Sequence, residues 1–102
     1  PSDELKKIRQ EIDYNPKPLK KILANPSFKK YFGGLSPENK LKTTPKGYDK
    51  EHPEIELLRN NSFIVWHKIP DKVITSKGFV KEIAKGAKIM MPFLDYLKVA
   101  IS

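Results

Sequence analysis

The sequence predicts an α+β domain, in which several short helices and one long C-terminal helix pack around a small, mainly antiparallel sheet. Three features of the sequence predict it. Apolar residues recur at helical spacing in short runs separated by Asn-Pro pairs near the start. The run Ser62–Ile69 is rich in β-branched and aromatic residues. A long stripe of apolar residues at three- and four-residue steps then closes the chain.

The elements follow in order. Asp3 to Tyr14 places Leu5, Ile8 and Ile12 on one face of a helix, with Ser2 or Asp3 to cap it and Asp3 and Glu4 suited to the positive end of its dipole. Asn15-Pro16 stops it. Pro16 and Pro18 can open a second helix, because a first turn does not use the donor that proline lacks. Leu19, Ile22 and Leu23 form its buried face. Asn25-Pro26 breaks the chain again, and Ser27 to Phe32 reads as a third helix with Phe28, Tyr31 and Phe32 pointing together. Gly33-Gly34 closes it.

Helical periodicity vanishes from Leu35 to Lys50, where Pro37, Pro45 and Gly47 punctuate the chain and Leu41 can begin a short extended segment. His52 to Leu58 predicts a helix of about two turns with Pro53 near its first position. Asn60-Asn61 ends it. Ser62–Ile69 is the strongest strand candidate, and its side chains must alternate: Phe63, Val65 and His67 on one face, Ile64, Trp66 and Lys68 on the other. Ser76 is placed to cap the final helix, whose stripe is Phe79, Ile83, Ala87, Met90, Leu94, Leu97 and Ile101. Gly86 permits close approach of a neighbour, and Pro92 should kink or divide the helix near Lys88 to Met91.

Composition bounds the function. The chain has 102 residues, 38% hydrophobic and 31% charged, which fits one domain and neither a disordered segment nor a membrane span. There is no cysteine, so neither a disulfide nor a thiolate metal site can form, and a cytoplasmic setting is expected. The chain opens on Pro1 and runs directly into helix-forming sequence, which reads as part of a longer protein. The net charge is +8, yet only Arg9 and Arg59 are arginine. Lysine cannot imitate the bidentate arginine fork, so the charge argues against specific nucleic-acid reading and leaves non-specific polyanion binding as a weaker alternative.

The stretch that concentrates chemistry is Leu41 to Pro53. Lys46 could hold a phosphate or carboxylate, Tyr48 could stack or hydrogen-bond, and Asp49 with His52 could form an acid–base pair. Turn chemistry explains the same residues: Pro45-Lys46-Gly47-Tyr48 fits a tight turn, Asp49 can cap locally, and His52 can belong to a helix start. His67, on the predicted strand, is the fifth candidate binding residue. Two histidines with scattered acids imply no metal site, no catalytic residue is assigned, and no cofactor motif is present: Gly33-Gly34 lacks a phosphate-loop context and no Ser sits in a nucleophile elbow.

The strings Tyr31-Phe32-Gly33-Gly34-Leu35, Leu41-Lys42, Pro45-Lys46-Gly47-Tyr48-Asp49-Lys50, His52-Pro53-Glu54-Ile55-Glu56-Leu57-Leu58 and Ser62-Phe63-Ile64-Val65, with His67-Lys68, resemble the C-terminal half of the conserved hypothetical family called domain of unknown function 2461. Ile8-Arg9-Gln10-Glu11-Ile12 and the closing helix fit the same pattern. Trp66 stands where that pattern has a smaller residue. The resemblance implies a protein about twice as long, whose N-terminal half carries aromatic and arginine-rich motifs, and it brings no activity, cofactor or partner. The leading expectation is an uncharacterised binding or interaction module. Its partner would be an anionic small molecule, the missing N-terminal half or a second copy. The alternative is a fragment of an enzyme with an acid–base or phosphate-handling site in the 41–53 loop.

Overall fold

The computed structural model describes residues 2–102, with side chains from Asp3 onward; Pro1 and a capping role for Ser2 lie outside what is described. Six helices are present among these residues: α1 (Ser2–Tyr14), α2 (Lys17–Ala24), α3 (Pro26–Phe32), α4 (Ile55–Leu58), α5 (Asp71–Ile74) and α6 (Phe79–Ile101). The first three end where the proline and glycine punctuation puts them. Asn25 Oδ1 accepts the backbone N–H of Ser27 and Phe28, supplying the cap that α3 needs. Gly33 takes φ 79° at its end, a left-handed conformation that costs glycine nothing.

The predicted α+β architecture with an antiparallel sheet is overturned. The only strand pairing among the described residues is an isolated antiparallel bridge between Lys40 and Asn60. Residues 62–69 form no ladder; their single main-chain hydrogen bond runs from Ser36 N–H to Ile64 O at 2.8 Å. The reason lies opposite the segment. Residues 33–44, the available neighbour, are broken by Gly33, Gly34 and Pro37 and by the left-handed Asn39 (φ 61°), and they cannot hold two consecutive ladder bonds.

The period-two reading nevertheless survives over 63–66 without a sheet, while His67, expected on the face of Phe63 and Val65, is exposed. Phe63 and Val65 are each 9% exposed, while Ile64 and Trp66 are 55% and 66% exposed. The inward side chains reach a core built from Ile12, Leu19, Phe28, Leu58, Phe93 and Tyr96. Three helices pack on α6, namely α1, α2 and α3, and α4 packs on α1. Phe28 links the layers, its ring centroid 5.0 Å from Phe32 and 5.7 Å from Phe93.

Four smaller expectations change. The helix expected from His52 is a single turn beginning at Ile55, because His52 and Pro53 belong to the turn before it. Ser76 does not cap α6; Gly78 occupies that position, and the Ser76 hydroxyl donates to Val73 O and accepts from Gly78 N–H in the link from α5. Helix α6 is continuous through Pro92 rather than divided there. Its buried face is Gly86, Phe93, Tyr96 and Ala100, so most of the predicted stripe sits to one side of the core and Ile83, Ala87 and Leu94 are exposed. Gly86 does permit close approach: a Cβ there would lie 2.9 Å from the Tyr31 hydroxyl oxygen.

Candidate functional site

The 41–53 loop is fastened to the first helix. Residues 45–48 form a turn in which Tyr48 N–H donates to Pro45 O, and Gly47 takes φ 94°. Lys46 is exposed on that turn. Asp49 Oδ1 accepts Glu51 N–H at 2.8 Å, and Asp49 O accepts His52 N–H, so this carboxylate closes its own turn and does not meet the His52 ring.

His52 pairs instead with Asp13 of α1, Nε2 to Oδ1 at 2.6 Å. Its Nδ1 accepts the backbone N–H of Glu54 at 2.9 Å, which places the proton of the neutral ring on Nε2, donating to Asp13. Both nitrogens are thereby committed: the ring anchors the start of α4 and ties the loop to α1. The Tyr48 ring packs edge-on to it, centroids 6.1 Å apart. Burial, and then the Asp13 charge, push the Tyr48 phenol above its ordinary pKa, while Arg9 acts in the opposite sense.

Arg9 completes this knot. Its Nε donates to Leu58 O at 2.8 Å, and its Nη2 donates to Asn60 O at 3.1 Å and to Asn61 Oδ1 at 2.8 Å. One guanidinium thus satisfies the last carbonyl of α4, Leu58 O, which has no partner within the helix, together with two oxygens of the turn that follows. Burial lowers its pKa from the usual value, with Tyr48 opposing. Lys46, Tyr48, Asp49 and His52 are therefore neighbours in one loop, but the geometry spends Asp49 and His52 on holding that loop in place.

His67 belongs to a different cluster. Its Nδ1 lies 2.7 Å from Tyr31 O, an acceptor, so Nδ1 carries a proton and donates it there, with Nε2 on the other side of the ring. That nitrogen faces Glu82 Oε1 at 3.9 Å. The imidazole stacks on the Tyr31 ring at 3.7 Å and 18°, and Lys85 Nζ lies 5.8 Å from the same ring centroid. The Tyr31 hydroxyl is within reach of both Glu82 O and Glu82 Oε1, at 3.4 and 3.3 Å. Burial first, then the Glu82 charge and hydrogen bond, raise its pKa. A hollow of about 400 Å³ opens beside these residues.

An apolar groove of about 320 Å³ shares Tyr31 and His67 with that hollow. It runs between Trp66 and Ile69 on one side and Ile83, Met91 and Leu94 of α6 on the other. Sequence reasoning found His67 and missed Tyr31, Glu82 and Lys85 as its companions; it also missed Arg9 and Asp13 as the anchors of the loop. All five are joined to their partners by contacts spanning 36 residues or more or across elements, and no local pattern signals those. Among the described residues no group of three or more His, Asp or Glu is arranged to hold a metal ion, and no helix is long and apolar enough to cross a membrane.

No curated protein and no solved structure matches the chain. The family profile described as conserved hypothetical protein (DUF2461) matches residues 1–96, nearly the whole chain. The strings quoted above therefore mark a true relationship, and the chain belongs to the family called domain of unknown function 2461.

Proposed function

We propose that this chain is an interaction module that seats another polypeptide surface on the apolar face formed by residues 62–69 and the outer side of α6. The observation that carries this reading is an excess of surface. The accessible area is 7579 Å². A folded monomer of 11.7 kDa exposes about 5,900 Å², so the excess is about 1,700 Å². A standard protein–protein interface covers about 800 Å² per partner. The radius of gyration agrees: 15.4 Å, where a compact chain of this length has about 13 Å.

The excess is apolar where the two elements meet. Trp66, Ile83, Met91 and Leu94 are all roughly half exposed or more and line one groove, and Ile64 is exposed on the same segment as Trp66. A helix that is apolar on its core face and again beside it is built to be covered twice.

A photo-crosslinking side chain placed at Trp66 in cells tests the reading, with the same group at Lys46 as the control. A discrete polypeptide adduct at position 66, absent at position 46 and lost on adding Ile83→Asp across the groove, is the expected result. Adducts of equal yield at both positions, or none at 66, would overturn it.

A second reading has one observation in its favour. A hollow of about 210 Å³ in the 41–53 region is lined by Lys42, Thr43, Thr44 and Lys50, a set suited to a small anion. Glu56, held below the usual carboxylate pKa by the hydrogen bond and charge of Lys40 and by Arg59, stands at its edge and opposes that use. Titration with inorganic phosphate, compared between the parent chain and Lys42→Ala with Lys50→Ala, decides it: identical responses would dispose of the anion site.

A further inference from the structure

We infer that a hollow between α2, the start of α3 and the middle of α6 binds a small amphipathic anion, a carboxylate carried on a short apolar body. This hollow stands apart from the docking face proposed above, which uses a different side of α6.

The hollow has a volume of about 340 Å³, within the range that takes a small organic ligand. Its walls come from α2 and α3, both packed on α6. Its floor is apolar: Phe28 is buried, Ile22 and Ile89 are half-buried, and Pro92 closes one side. The sequence itself creates the gap. Asn25-Pro26 turns the chain between α2 and α3, and the small Ser27 leaves the space beside Ile89 unfilled.

Every charged group at the rim is a cation. Lys21 comes from α2 and Lys88 from α6, and no acidic residue lines the hollow among the described residues. The lysine–carboxylate pairs of the fold use Lys20 and Lys40 instead, so neither rim ammonium has a partner among those residues. The uncharged rim groups donate as well. Asn25 Oδ1 is committed to the N–H groups of Ser27 and Phe28, which leaves the amide nitrogen of that side chain to donate, with the Ser27 hydroxyl beside it.

Donors and cations above an apolar floor select a ligand with an acceptor-only head and an apolar body. No arginine is placed to grip a phosphate with two parallel bonds, and two ammonium point charges suit a compact carboxylate. The field favours the same sign beyond the hollow. The adjoining 400 Å³ hollow shares Ser27 and Ile89 and adds Lys30 and Lys85, and its one acid, Glu82, is turned to Tyr31 and His67. By contrast, no lysine lines the apolar groove beside Trp66, so the charge of an amphiphile separates the two places.

The test titrates the whole chain at low ionic strength with octanoate, 1-octanol, octylammonium and acetate. Affinity is measured together with nuclear magnetic resonance shifts of the Ile22 and Ile89 methyl groups. Octanoate is expected to shift both residues and to bind about tenfold or more tightly than each of the other probes, the effect of two ion pairs at a half-enclosed site. Lys21→Ala combined with Lys88→Ala should bring octanoate down to the level of octanol and leave octanol unchanged. Lys72→Ala combined with Lys81→Ala removes the same charge from exposed positions outside the hollow and should leave octanoate affinity within about twofold.

Equal affinity for octanoate and octanol would overturn the anion site, and so would equal losses from the two lysine pairs. Shifts confined to Trp66 and Leu94 and abolished by Trp66→Ser would also refute it, and would leave the docking face intact.

Discussion

The Arg9–Asp13–His52 knot and the 62–69 segment lie close in sequence at one end and treat their polar groups in opposite ways. In the knot nearly every donor has an acceptor: one guanidinium serves three oxygens, and both nitrogens of one imidazole are used. In the segment eight residues share a single main-chain hydrogen bond. The knot is thus closed chemistry, whose residues hold the fold and have little left for a ligand. The open segment is held chiefly by two buried side chains, Phe63 and Val65, and by the contacts of His67 with Tyr31 and Glu82. The difference teaches that a concentration of titratable residues in sequence can be structural, while a stretch that looks like ordinary strand can fold without a strand partner.

Substitutions sharpen this contrast, beginning with the larger of the two buried side chains of the open segment. Phe63→Ala should cost about 3–5 kcal/mol in chemical denaturation, because it empties a core position that no main-chain bonding supports. A loss below about 1 kcal/mol would mean that the segment is anchored by something other than Phe63.

Arg9→Met comes next. It strips the hydrogen bonds from Leu58 O and Asn60 O in partly buried surroundings, and about 2–4 kcal/mol should be lost. The knot would lose its claim to be the saturated region if this variant melted with the parent.

Tyr96→Phe removes the hydroxyl that donates to Asn15 O at 3.1 Å and should cost about 1 kcal/mol near neutral pH. Its pH profile is the more telling measurement. Burial, and then the Glu11 charge, raise the Tyr96 phenol to about 12 from an ordinary 10.0. The folded state therefore favours the protonated phenol, a contribution fully present below pH 10 and lost as pH rises towards 12. The parent chain should lose its margin over Tyr96→Phe across that window, and parallel curves from pH 9 to 12 would contradict the assignment.

Trp66→Ser should change stability least, by about 0.5 kcal/mol or less, since the indole is 66% exposed. A large loss would show that Trp66 supports this chain rather than waiting for a partner.

The sequence made some of this legible and not the rest, for physical reasons. Asn-Pro pairs and Gly33 fix helix ends through φ restriction and missing donors, which act within a few residues, so α1, α2 and α3 could be read directly. Burial alternation over 63–66 was legible too, because it follows from extended geometry alone. Pairing was not, since a sheet requires a second segment with compatible register, and 33–44 is too broken to provide one. The buried face of α6 escaped for a related reason. A helix apolar around more than half its circumference has no unique inward side until its neighbours choose one, and here Tyr31 against Gly86 and Phe28 against Phe93 make the choice.

The candidate site divides in the same way. The residue types in Lys46, Tyr48, Asp49 and His52 could be named from the sequence, and they do share a loop. Their roles depended on partners supplied by α1: Asp13 takes the histidine that Asp49 was expected to hold. His67 was named as well, but the group that holds its Nδ1 is Tyr31 O, 36 residues away, and its Nε2 faces Glu82.

The sequence by itself determined a basic, cysteine-free, largely lysine-charged chain, the positions of its first helix ends, the two-faced character of 62–69 and membership of its family. Each of those rests on local geometry or on residue identity. Only the tertiary structure decided that the described residues build helices without a sheet, that His52 pairs with Asp13 while His67 meets Tyr31 and Glu82, and that one apolar face is left exposed. Those outcomes depend on which distant groups meet, and burial and hydrogen bonding assign a partner to each group only once the whole chain has folded.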